Sequence, residues 1–395
     1  ERAFNTKMDG GISMENNENN LKIEEQSKYE IFKDKEILIR SITPKNLLYR
    51  ERELQFIKES IMTSNNLFVY GGTGLGKTTT IKYAIEQLLN EKRDGEKSFQ
   101  AIYVNCGIIN TQYGLLQNIA NHLITDWDEY IPFTGWSTDK VFGKLKIQLE
   151  QQQGTLILVL DEINSLKGDE ALYNLLQLNK QLDNVNITFV CISSDLKYTE
   201  FLDPKVKSTF AEANLIFVPY AREQTQDILR ERSQLAFQDD VVIDPDVFSL
   251  ISILVENEHG DVGIAMDILR ISGEIAQHPH DSTIKHITTE HVRLAQNMLE
   301  LNRLREVIRT LPSQSKLIIK AIKQLDQKVV TTDETYEKYK DLCKKTKMDQ
   351  LTKRCVADLI SELDMLGIIS TYILLKERRT RKIQISNPLI FSEVE

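Results

Sequence analysis

Short runs of apolar and β-branched residues alternate with longer stretches of helical periodicity over the first 220 residues. In the longer stretches apolar positions recur three and four residues apart, as in Ile81, Ala84, Ile85 and Leu88. Buried parallel strands joined by crossover helices produce this alternation. The predicted strands are Asn66–Tyr70, Ala101–Asn105, Thr155–Leu160, Ile187–Ile192 and Leu215–Val218. This part of the chain therefore predicts an α/β fold with a parallel sheet.

Helical periodicity dominates the rest of the chain. Four segments predict a small all-α unit, namely Arg222–Phe237, Pro245–Glu258, Val262–Gln277 and Thr288–Arg303. A third unit is predicted to begin near Leu311 and to combine helices with a two-stranded ending. Its predicted elements are Ser315–Asp326, Asp333–Lys345, a third helix that opens at Asp349, and the strands Ile369–Leu375 and Ile383–Ser386.

Charge is distributed unevenly along the chain. The 395 residues carry a net charge of -9, yet the stretch from Leu311 to Ile385 holds 16 Lys or Arg against 10 Asp or Glu. An acidic body joined to a basic C-terminal unit is typical of nucleic-acid binding by that unit. No apolar run approaches the roughly 20 residues that span a bilayer. We therefore expect a cytoplasmic, nucleoid-associated protein without membrane contact.

A phosphate-binding loop (P-loop) follows the first predicted strand. Residues 71–78 read Gly-Gly-Thr-Gly-Leu-Gly-Lys-Thr and fit G-x-x-x-x-G-K-[ST]. Its glycines let backbone N–H groups converge on phosphate oxygens at the positive end of a helix. Lys77 is predicted to reach the β- and γ-phosphates, and the Thr78 hydroxyl to bind Mg²⁺. The predicted nucleotide-binding residues here are Gly71, Gly72, Thr73, Gly74, Leu75, Gly76, Lys77, Thr78 and Thr79.

Two acidic residues end the third predicted strand. Asp161 is expected to hold Mg²⁺ through water, and Glu162 to polarise the water that attacks the γ-phosphate. Such a pair by itself is also common at an ordinary solvated strand end. Because a P-loop precedes it with one strand between, the pair favours a site for ATP or a close relative.

Further motifs recur in one order along the chain. They are Tyr-Arg-Glu-Arg-Glu-Leu at 49–54, the P-loop, Asp-Glu-Ile-Asn at 161–164, Leu-Asp-Pro-Lys-Val-Lys-Ser at 202–208, Tyr220, Glu-His-Gly-Asp at 258–261 and Ser-Glu-Leu-Asp-Met-Leu-Gly-Ile at 361–368. From about residue 40 to its end the sequence resembles the archaeal replication initiators, which are related to the origin recognition complex and cell-division-control loader ATPases of the AAA+ class.

The resemblance implies three folded domains after a polar, Asn-rich stretch that predicts a flexible tail at 1–38. These are an α/β AAA+ base with a parallel sheet at 39–220, an all-α lid at 221–306 and a C-terminal winged-helix DNA-binding domain at 307–395. The three domains agree with the three units that the hydrophobic pattern predicts.

By the same resemblance Tyr220 and Arg232 lie beside the nucleotide, although the residues alone suggest only structural roles. Three positions depart from the family pattern. Ser194 stands where the polar sensor is usually Asn, Lys205 where an arginine finger is common, and Gly263 where the lid carries an Arg sensor. Lys lacks the planar fork of Arg, and an arginine finger contributes about 10³–10⁵ in rate. We expect tight nucleotide binding but slow hydrolysis, with Glu162, Lys77, Ser194 and Lys205 as catalytic candidates.

The third helix of the C-terminal unit has an exposed polar face. Asp349 is a suitable N-cap, and Leu351 and Cys355 begin the predicted buried stripe. In a helix-turn-helix protein the first residues of this helix face base edges. The predicted DNA contacts are Gln350, Thr352, Lys353 and Arg354. An ordinary amphipathic helix with a solvated face is the alternative.

A basic hairpin tip joins the last two predicted strands. Residues 376–382 read Lys-Glu-Arg-Arg-Thr-Arg-Lys, as in the wing of a winged-helix domain. Cations of such a wing follow the phosphate backbone or enter the minor groove. Arg378, Arg379, Arg381 and Lys382 are the predicted contacts, and a solvated loop is the alternative.

A second DNA contact is implied by the resemblance alone. Initiators of this group carry a helical insertion in the base, here expected within 108–142 with residues 131–136 at its tip. Phe133 and Trp136 would wedge against DNA there. Equally, these aromatic side chains would pin the loop to the base.

With the family, these features predict a replication initiator that binds double-stranded origin DNA with ATP or ADP and Mg²⁺. The family also implies a replicative helicase and other initiator subunits as partners. Two alternatives stay open at this point. One is a sequence-specific transcription regulator with a nucleotide switch, and the other is a helper ATPase whose winged helix serves protein contacts.

Overall fold

The structure is a computed structural model. It describes residues 30–40, 42–44, 46–90, 98–210, 212–258, 260–277, 285–325, 327, 329–374 and 380–385. The chain divides into two compact units, Glu1–Val292 and Arg293–Glu395, and each is described by itself. Within the described ranges no helix is both long enough and apolar enough to cross a bilayer.

A five-stranded parallel sheet organises the first unit, which confirms the predicted α/β fold. Its spatial order is β2-β3-β4-β1-β5, and all neighbouring strands run parallel. The strands are β1 (Asn66–Tyr70), β2 (Phe99–Asn105), β3 (Gly154–Asp161), β4 (Val185–Ser193) and β5 (Glu212–Ile216). Because all five strands are parallel, the loop after β1 leaves the carboxyl edge of the sheet, where ligands bind in such folds.

Helices cover both faces of this sheet. They are α1 (Glu51–Met62), α2 (Lys77–Asn90), α3 (Gln112–Leu123), α4 (Thr138–Glu150), α5 (Glu170–Asn179), α6 (Tyr198–Phe201) and α7 (Pro204–Phe210). Alternate residues of β1 point to opposite faces: Leu67 and Val69 pack with α1 and α2, whereas Phe68 and Tyr70 pack with α3, α4 and α5. Burial on both sides explains why the strands are continuously apolar.

The lid follows the sheet within the same unit. Its helices are α8 (Arg222–Ala236), α9 (Pro245–Asn257), α10 (Val262–Ala276) and the beginning of α11 (Thr289–Thr310). A two-stranded parallel pair, β6 (Val242–Ile243) with β7 (His286–Ile287), was not predicted. Strands of two residues are too short to produce a period in the sequence.

Residues 30–38 do not behave as the flexible tail that composition suggested. Phe32 stacks on Phe237 of the lid with ring centroids 5.0 Å apart, and Ile31 and Leu38 are buried. The backbone N–H groups of Lys33 and its neighbour donate to the carbonyl oxygen of Ala236. Three apolar residues are enough to anchor the segment but too few to show a period. We call residues 30–40 the N-terminal strap.

The second unit consists of the end of α11, a three-helix cluster and a small sheet, and forms a winged helix. Its further elements are α12 (Ser313–Gln324), β8 (Val329–Thr331), α13 (Thr332–Thr346), α14 (Lys353–Met365), β9 (Ile369–Leu374) and β10 (Thr380–Ile385). The strands pair antiparallel in the order β8-β10-β9. The hydrophobic pattern predicted β9 and β10 but not the three-residue β8.

Helix α14 begins later than Asp349, the start that the sequence predicted. Thr352 is its N-cap, and its side-chain oxygen accepts from the backbone N–H of Cys355. The residues before this cap are not helical, because the backbone N–H of Leu351 donates to the Tyr339 hydroxyl. Of the predicted buried stripe, Val356, Ile360 and Leu363 are buried, whereas Cys355 is exposed.

Candidate functional site

The P-loop joins β1 to α2 and has the backbone that its glycines predict. Gly74 and Gly76 have φ angles of +69° and +82°, a region that side chains with a Cβ rarely adopt. Lys77 is the first residue of α2, and its ammonium group donates to the carbonyl oxygens of Gly71 at 2.8 Å and Gly72 at 2.6 Å. Burial lowers the pKa of Lys77. The loop therefore holds a buried cation at the start of α2, against its own carbonyl oxygens.

The end of β3 meets the start of α2. Thr78 donates its hydroxyl to Asp161 Oδ2 at 2.8 Å, and the Tyr103 hydroxyl donates to the same oxygen. Burial, followed by this hydrogen bond, raises the pKa of Tyr103, so the phenol stays protonated as a donor. A hydroxyl beside a carboxylate supplies the hard oxygen ligands that Mg²⁺ prefers. The two predicted metal residues, Thr78 and Asp161, are thus adjacent, and their oxygen atoms would suit that ion.

Glu162 lies beside this pair, in a strained backbone position. Its φ of +52° is left-handed, and its carboxylate lies so close to Gly107 that a Cβ there would be 2.1 Å from Glu162 Oε2. Ser194 lies at the end of β4, where the amide oxygen of Asn164 accepts from its backbone N–H at 3.4 Å. Both Glu162 and Ser194 line the same cavity as Lys77.

A cavity of about 660 Å³ lies between the P-loop, the lid and the segment that follows the strap. This volume is in the range of nucleotide-sized ligands. The predicted residues that line it are Thr73, Gly74, Leu75, Gly76, Lys77, Thr78, Thr79, Asp161, Glu162, Ser194, Tyr220 and Arg232. Lys205, in α7, is exposed and is not among the lining residues. The cavity also has apolar lining residues that sequence reasoning missed, namely Ile37, Ile39, Ile42, Pro44, Leu47, Leu48, Ile228, Val262 and Met266.

Arg232 of α8 contributes a second buried cation to the cavity. Its side chain is 9% exposed, its Nε has no hydrogen-bond partner among the described residues, and burial lowers the pKa of its guanidinium. A buried guanidinium with an unpaired N–H is costly unless an anion compensates it. The position of Arg232 therefore suits an anionic ligand in the cavity.

Arg50 holds the P-loop in place through contacts with its backbone. From the sequence, this residue was placed in a motif but given no role. Arg50 is 3% exposed, and its Nη2 donates to the carbonyl oxygens of Leu75 at 3.1 Å and Val218 at 2.8 Å. Its guanidinium also lies 3.9 Å from the centre of the Tyr220 ring. Arg50 thereby connects the loop to the junction between sheet and lid. The sequence signal was its place in the motif at 49–54.

Asp261 was likewise missed, and it joins the lid to the P-loop. As the N-cap of α10 it accepts from the N–H of Ile264 at 3.1 Å, and the N–H of Val262 donates to the carbonyl oxygen of Gly74 at 3.3 Å. A Cβ on Gly74 would be 1.8 Å from Asp261 Oδ1. Gly74 is thus required twice, for its backbone angle and for the room that this carboxylate occupies.

Exposed polar residues cluster at the start of α14 in the second unit. Arg354 is exposed and has no ion pair with another described residue. Lys353 is paired with Asp333 at 2.6 Å, but both side chains are more than half exposed. Gln350 donates to the Tyr336 hydroxyl at 3.0 Å, and the Thr352 hydroxyl serves as the N-cap. The four predicted contacts therefore lie together at the start of α14. Among them, Arg354 makes the fewest contacts with other described residues.

Arg381 of β10 is bonded within the unit and is not the free wing cation that the sequence predicted. Its guanidinium donates to Ser361 Oγ at 2.8 Å and Thr371 Oγ1 at 3.0 Å, and it lies 3.7 Å from Asp364. These bonds direct it onto α14 and β9, so it holds the strands against the helix. Lys382 is partly buried in β10. Arg378 and Arg379 lie outside the described residues.

In the insertion between β2 and β3, the two aromatic residues predicted at the tip have different surroundings. Trp136 packs against the core of the base, and the Lys140 ammonium lies 3.7 Å from the centre of its ring. Phe133 is 88% exposed. The Tyr113 hydroxyl donates to the carbonyl oxygen of Pro132 at 2.7 Å, which fixes the loop just before Phe133. Trp136 thus anchors the tip, and Phe133 projects from it.

A parallel sheet with a P-loop, a helical lid that closes a nucleotide-sized cavity and a C-terminal winged helix define a AAA+ ATPase-type protein. Three family matches agree with this class. Residues 60–196 match the AAA domain, 226–297 the Cdc6 AAA+ ATPase-type lid domain, and 306–390 the CDC6 C-terminal winged helix domain. The class also implies nucleotide binding.

Relatives narrow the class to one family. The chain is 42% identical over 374 residues to ORC1-type DNA replication protein 1 of Methanosarcina mazei, covering 91% of this chain and 88% of the relative. It is 40% identical over 370 residues to the ORC1-type DNA replication protein of Pyrococcus horikoshii, covering 90% and 87%. The chain therefore belongs to the ORC1-type DNA replication proteins, as the resemblance predicted.

Solved structures agree with this assignment. The Aeropyrum pernix ORC1 protein, solved in complex with DNA, is 33% identical with a TM-score of 0.73, and the match covers 92% of this chain and 96% of that one. The CDC6P protein of Pyrobaculum aerophilum, at 23% identity and a TM-score of 0.59, shares the fold.

Proposed function

We propose that this DNA replication initiator binds double-stranded origin DNA through its winged helix while it holds ATP or ADP with Mg²⁺ in the cavity of the first unit. The observation that carries the proposal is the joining, in one chain, of a lid-closed P-loop and a winged helix whose α14 begins with the exposed Arg354. The DNA complex of the Aeropyrum pernix relative, which is similar over nearly the whole chain, supports the same reading.

In the nucleotide cavity, Lys77 and Arg232 are the buried cations assigned to the phosphates, and Thr78 and Asp161 are the residues assigned to Mg²⁺. When bound, Mg²⁺ neutralises phosphate charge. The apolar lining residues of the cavity, among them Ile228 and Met266, suit the adenine ring. Glu162 is the residue assigned to orient the attacking water.

Hydrolysis is proposed to be slow. Gly263 has no side chain to offer from the lid, and Lys205 replaces the planar fork of an arginine finger with a point charge. A single-turnover measurement with Mg²⁺ and ATP tests this, and conversion within seconds would contradict it. Bound nucleotide would then mark the functional state of the protein, and its hydrolysis would not drive movement.

On the DNA side, Arg354 and Lys353 are proposed to contact the duplex directly, with Gln350 and Thr352 beside them. Arg381 is proposed to act as a positioning residue that keeps β9 and β10 on α14. Phe133, exposed at the tip of the base insertion, is proposed as a second contact, with Trp136 as its support. On DNA the chain is proposed to recruit a replicative helicase together with other initiator subunits, which rests on the family alone.

The test is binding of the full chain to origin-region and scrambled duplexes at several salt concentrations, with ATP or ADP. We expect a clear preference for the origin duplex, and affinity that falls as salt rises because cations release counterions from phosphates. The Arg354→Ala variant should weaken binding, whereas Arg309→Ala, which removes an exposed arginine on α11 paired with Glu306, should not. Equal, weak and salt-labile binding to both duplexes would contradict the proposal and favour a protein-contact role for the winged helix.

A further inference from the structure

The N-terminal strap delivers an arginine to the mouth of the nucleotide cavity. After Phe32 and Leu38 anchor the strap to the lid, the chain turns and Arg40 joins the residues that line the cavity. Its Nε and Nη2 both lie 2.7 Å from Asp267 Oδ2 of α10, and its Nη1 lies 3.7 Å from Asp261 Oδ2. A residue far from the P-loop in sequence therefore places its charge beside it.

Arg40 occupies the space beside Gly263. A Cβ built on Gly263 would lie 3.0 Å from Arg40 Cδ and 3.1 Å from Arg40 Nε. The lid thus has no side chain at position 263, and the side chain of Arg40 fills the volume into which one would project. The two features are complementary: a larger residue at 263 would displace Arg40, and the absence of one leaves room for it.

The position of Arg40 relative to the P-loop follows from Asp261. The carboxylate of Asp261 lies directly over Gly74, because its Oδ1 is 1.8 Å from the Cβ position of that glycine. Arg40 Nη1 is 3.7 Å from the other oxygen of the same carboxylate. The Asp261 carboxylate therefore lies between the Arg40 guanidinium and the P-loop.

The contacts of Arg40 also allow it to move. Its side chain is 48% exposed, in contrast to Arg232, which is 9% exposed. Of its two carboxylate partners, Asp261 is the more distant, at 3.7 Å against 2.7 Å for Asp267, so the contact with Asp261 is the weaker one and the one that a phosphate oxygen would replace. A guanidinium binds phosphate with two parallel hydrogen bonds, which makes it the better partner for a doubly charged terminal phosphate.

We propose that Arg40 is the nucleotide-sensing cation of the lid, supplied by the N-terminal strap in place of a side chain at position 263. When a nucleoside triphosphate binds, Arg40 exchanges Asp261 for the terminal phosphate, while Asp267 keeps it in place. This role rests on the proposed nucleotide binding and deepens it. It makes Arg40 a determinant of the binding preference for ATP over ADP, not of the rate of hydrolysis, and it ties that preference to docking of the strap on the lid.

The test compares the affinities of the full chain for a non-hydrolysable ATP analogue and for ADP, both with Mg²⁺, by titration calorimetry. We expect Arg40→Ala to weaken binding of the ATP analogue about tenfold and of ADP less than about twofold. Arg222→Ala is the matched control, because Arg222 is an exposed lid arginine paired with Glu256 and is not among the residues lining the cavity. It should change neither affinity.

Two double variants separate direct contact from indirect effects. Arg40→Ala with Gly263→Arg should restore the preference for the ATP analogue, because an arginine at 263 then has the vacated space to occupy. Arg40→Ala with Asp261→Asn removes the carboxylate that the first change leaves unpaired, and Asn still caps α10. This second variant should not restore the preference. If it did, repulsion by Asp261 would explain the loss and the proposal would fail.

Other outcomes are equally decisive. An unchanged preference in Arg40→Ala, or equal weakening for both nucleotides, would show that Arg40 only ties the strap to the lid. Absence of binding by the unmodified chain would instead contradict nucleotide binding itself. The failure of the two proposals is therefore distinguishable.

Discussion

The nucleotide cavity and the exposed edge of α14 both suit polyanions, but they are built in different ways. In the cavity the charged groups are buried: Lys77, Arg232 and Asp161 are each less than 10% exposed, and the backbone of the P-loop is part of the site. On α14 the cations Lys353 and Arg354 are exposed, and the backbone contributes only the helix that carries them.

The difference predicts how each site responds to change. Electrostatic interactions strengthen where water is excluded, so a single substitution in the cavity should cause a large loss. Exposed cations act on DNA nearly independently and through counterion release, so each should subtract a modest and salt-dependent amount. Burial also means that the cavity depends on backbone and packing, whereas the α14 edge depends mainly on which side chains it displays.

The largest effect is expected for Lys77. Lys77→Ala removes a buried cation and its charge-assisted hydrogen bonds, each worth about 1.5–3 kcal/mol, so nucleotide affinity should fall about 100-fold. Lys82→Ala is the matched control: Lys82 lies on the same helix over the Tyr103 ring and is not among the residues lining the nucleotide cavity. Titration with ADP and Mg²⁺ measures both variants, and similar losses in the two would remove the distinction between buried and exposed cations.

A second test sharpens the dependence of the cavity on backbone. Gly74→Ala imposes a left-handed residue, at about 1–2 kcal/mol, and pushes its methyl group into Asp261. Both the thermal stability of the first unit and its nucleotide affinity should fall, the latter about tenfold. Gly143→Ala in α4 meets nothing within 4 Å and should stabilise the protein by about 0.5–1 kcal/mol. If Gly74→Ala kept its affinity, the contact between lid and loop would be unimportant for binding.

The smallest effects are expected in the winged helix, where two arginines should behave differently. Arg381→Ala removes hydrogen bonds to Ser361 and Thr371 and should lower the stability of this unit by about 1–2 kcal/mol. Arg354→Ala should leave stability within about 0.5 kcal/mol. It should instead lower DNA affinity and reduce the salt slope by about one.

Thermal unfolding and DNA titrations across salt concentrations measure this pair. A folded Arg381→Ala variant with unchanged stability and a reduced salt slope would show that Arg381 itself contacts DNA. The wing would then contribute through the cation that the sequence predicted.

Much of the fold was predictable because its signals are local. The P-loop occupies eight consecutive residues, and β1 was predicted with the bounds that the structure has. The short strands β6, β7 and β8 were not, since two or three residues cannot establish a period. The start of α14 was misplaced because Asp349 and Thr352 are both good N-caps, and the contact of the Leu351 backbone with Tyr339 decides between them.

The amino-acid sequence by itself determined the class of protein, since the P-loop, the acidic pair after β3 and the basic C-terminal unit are patterns of neighbouring residues. Only the tertiary structure decided which distant groups meet. It brought Asp261 over Gly74, Arg50 against Leu75 and Arg40 beside Gly263, and it turned Arg381 inward. Arg40 and its partner Asp267, for example, are 227 positions apart in the sequence. Such contacts depend on packing, which local periodicity does not encode.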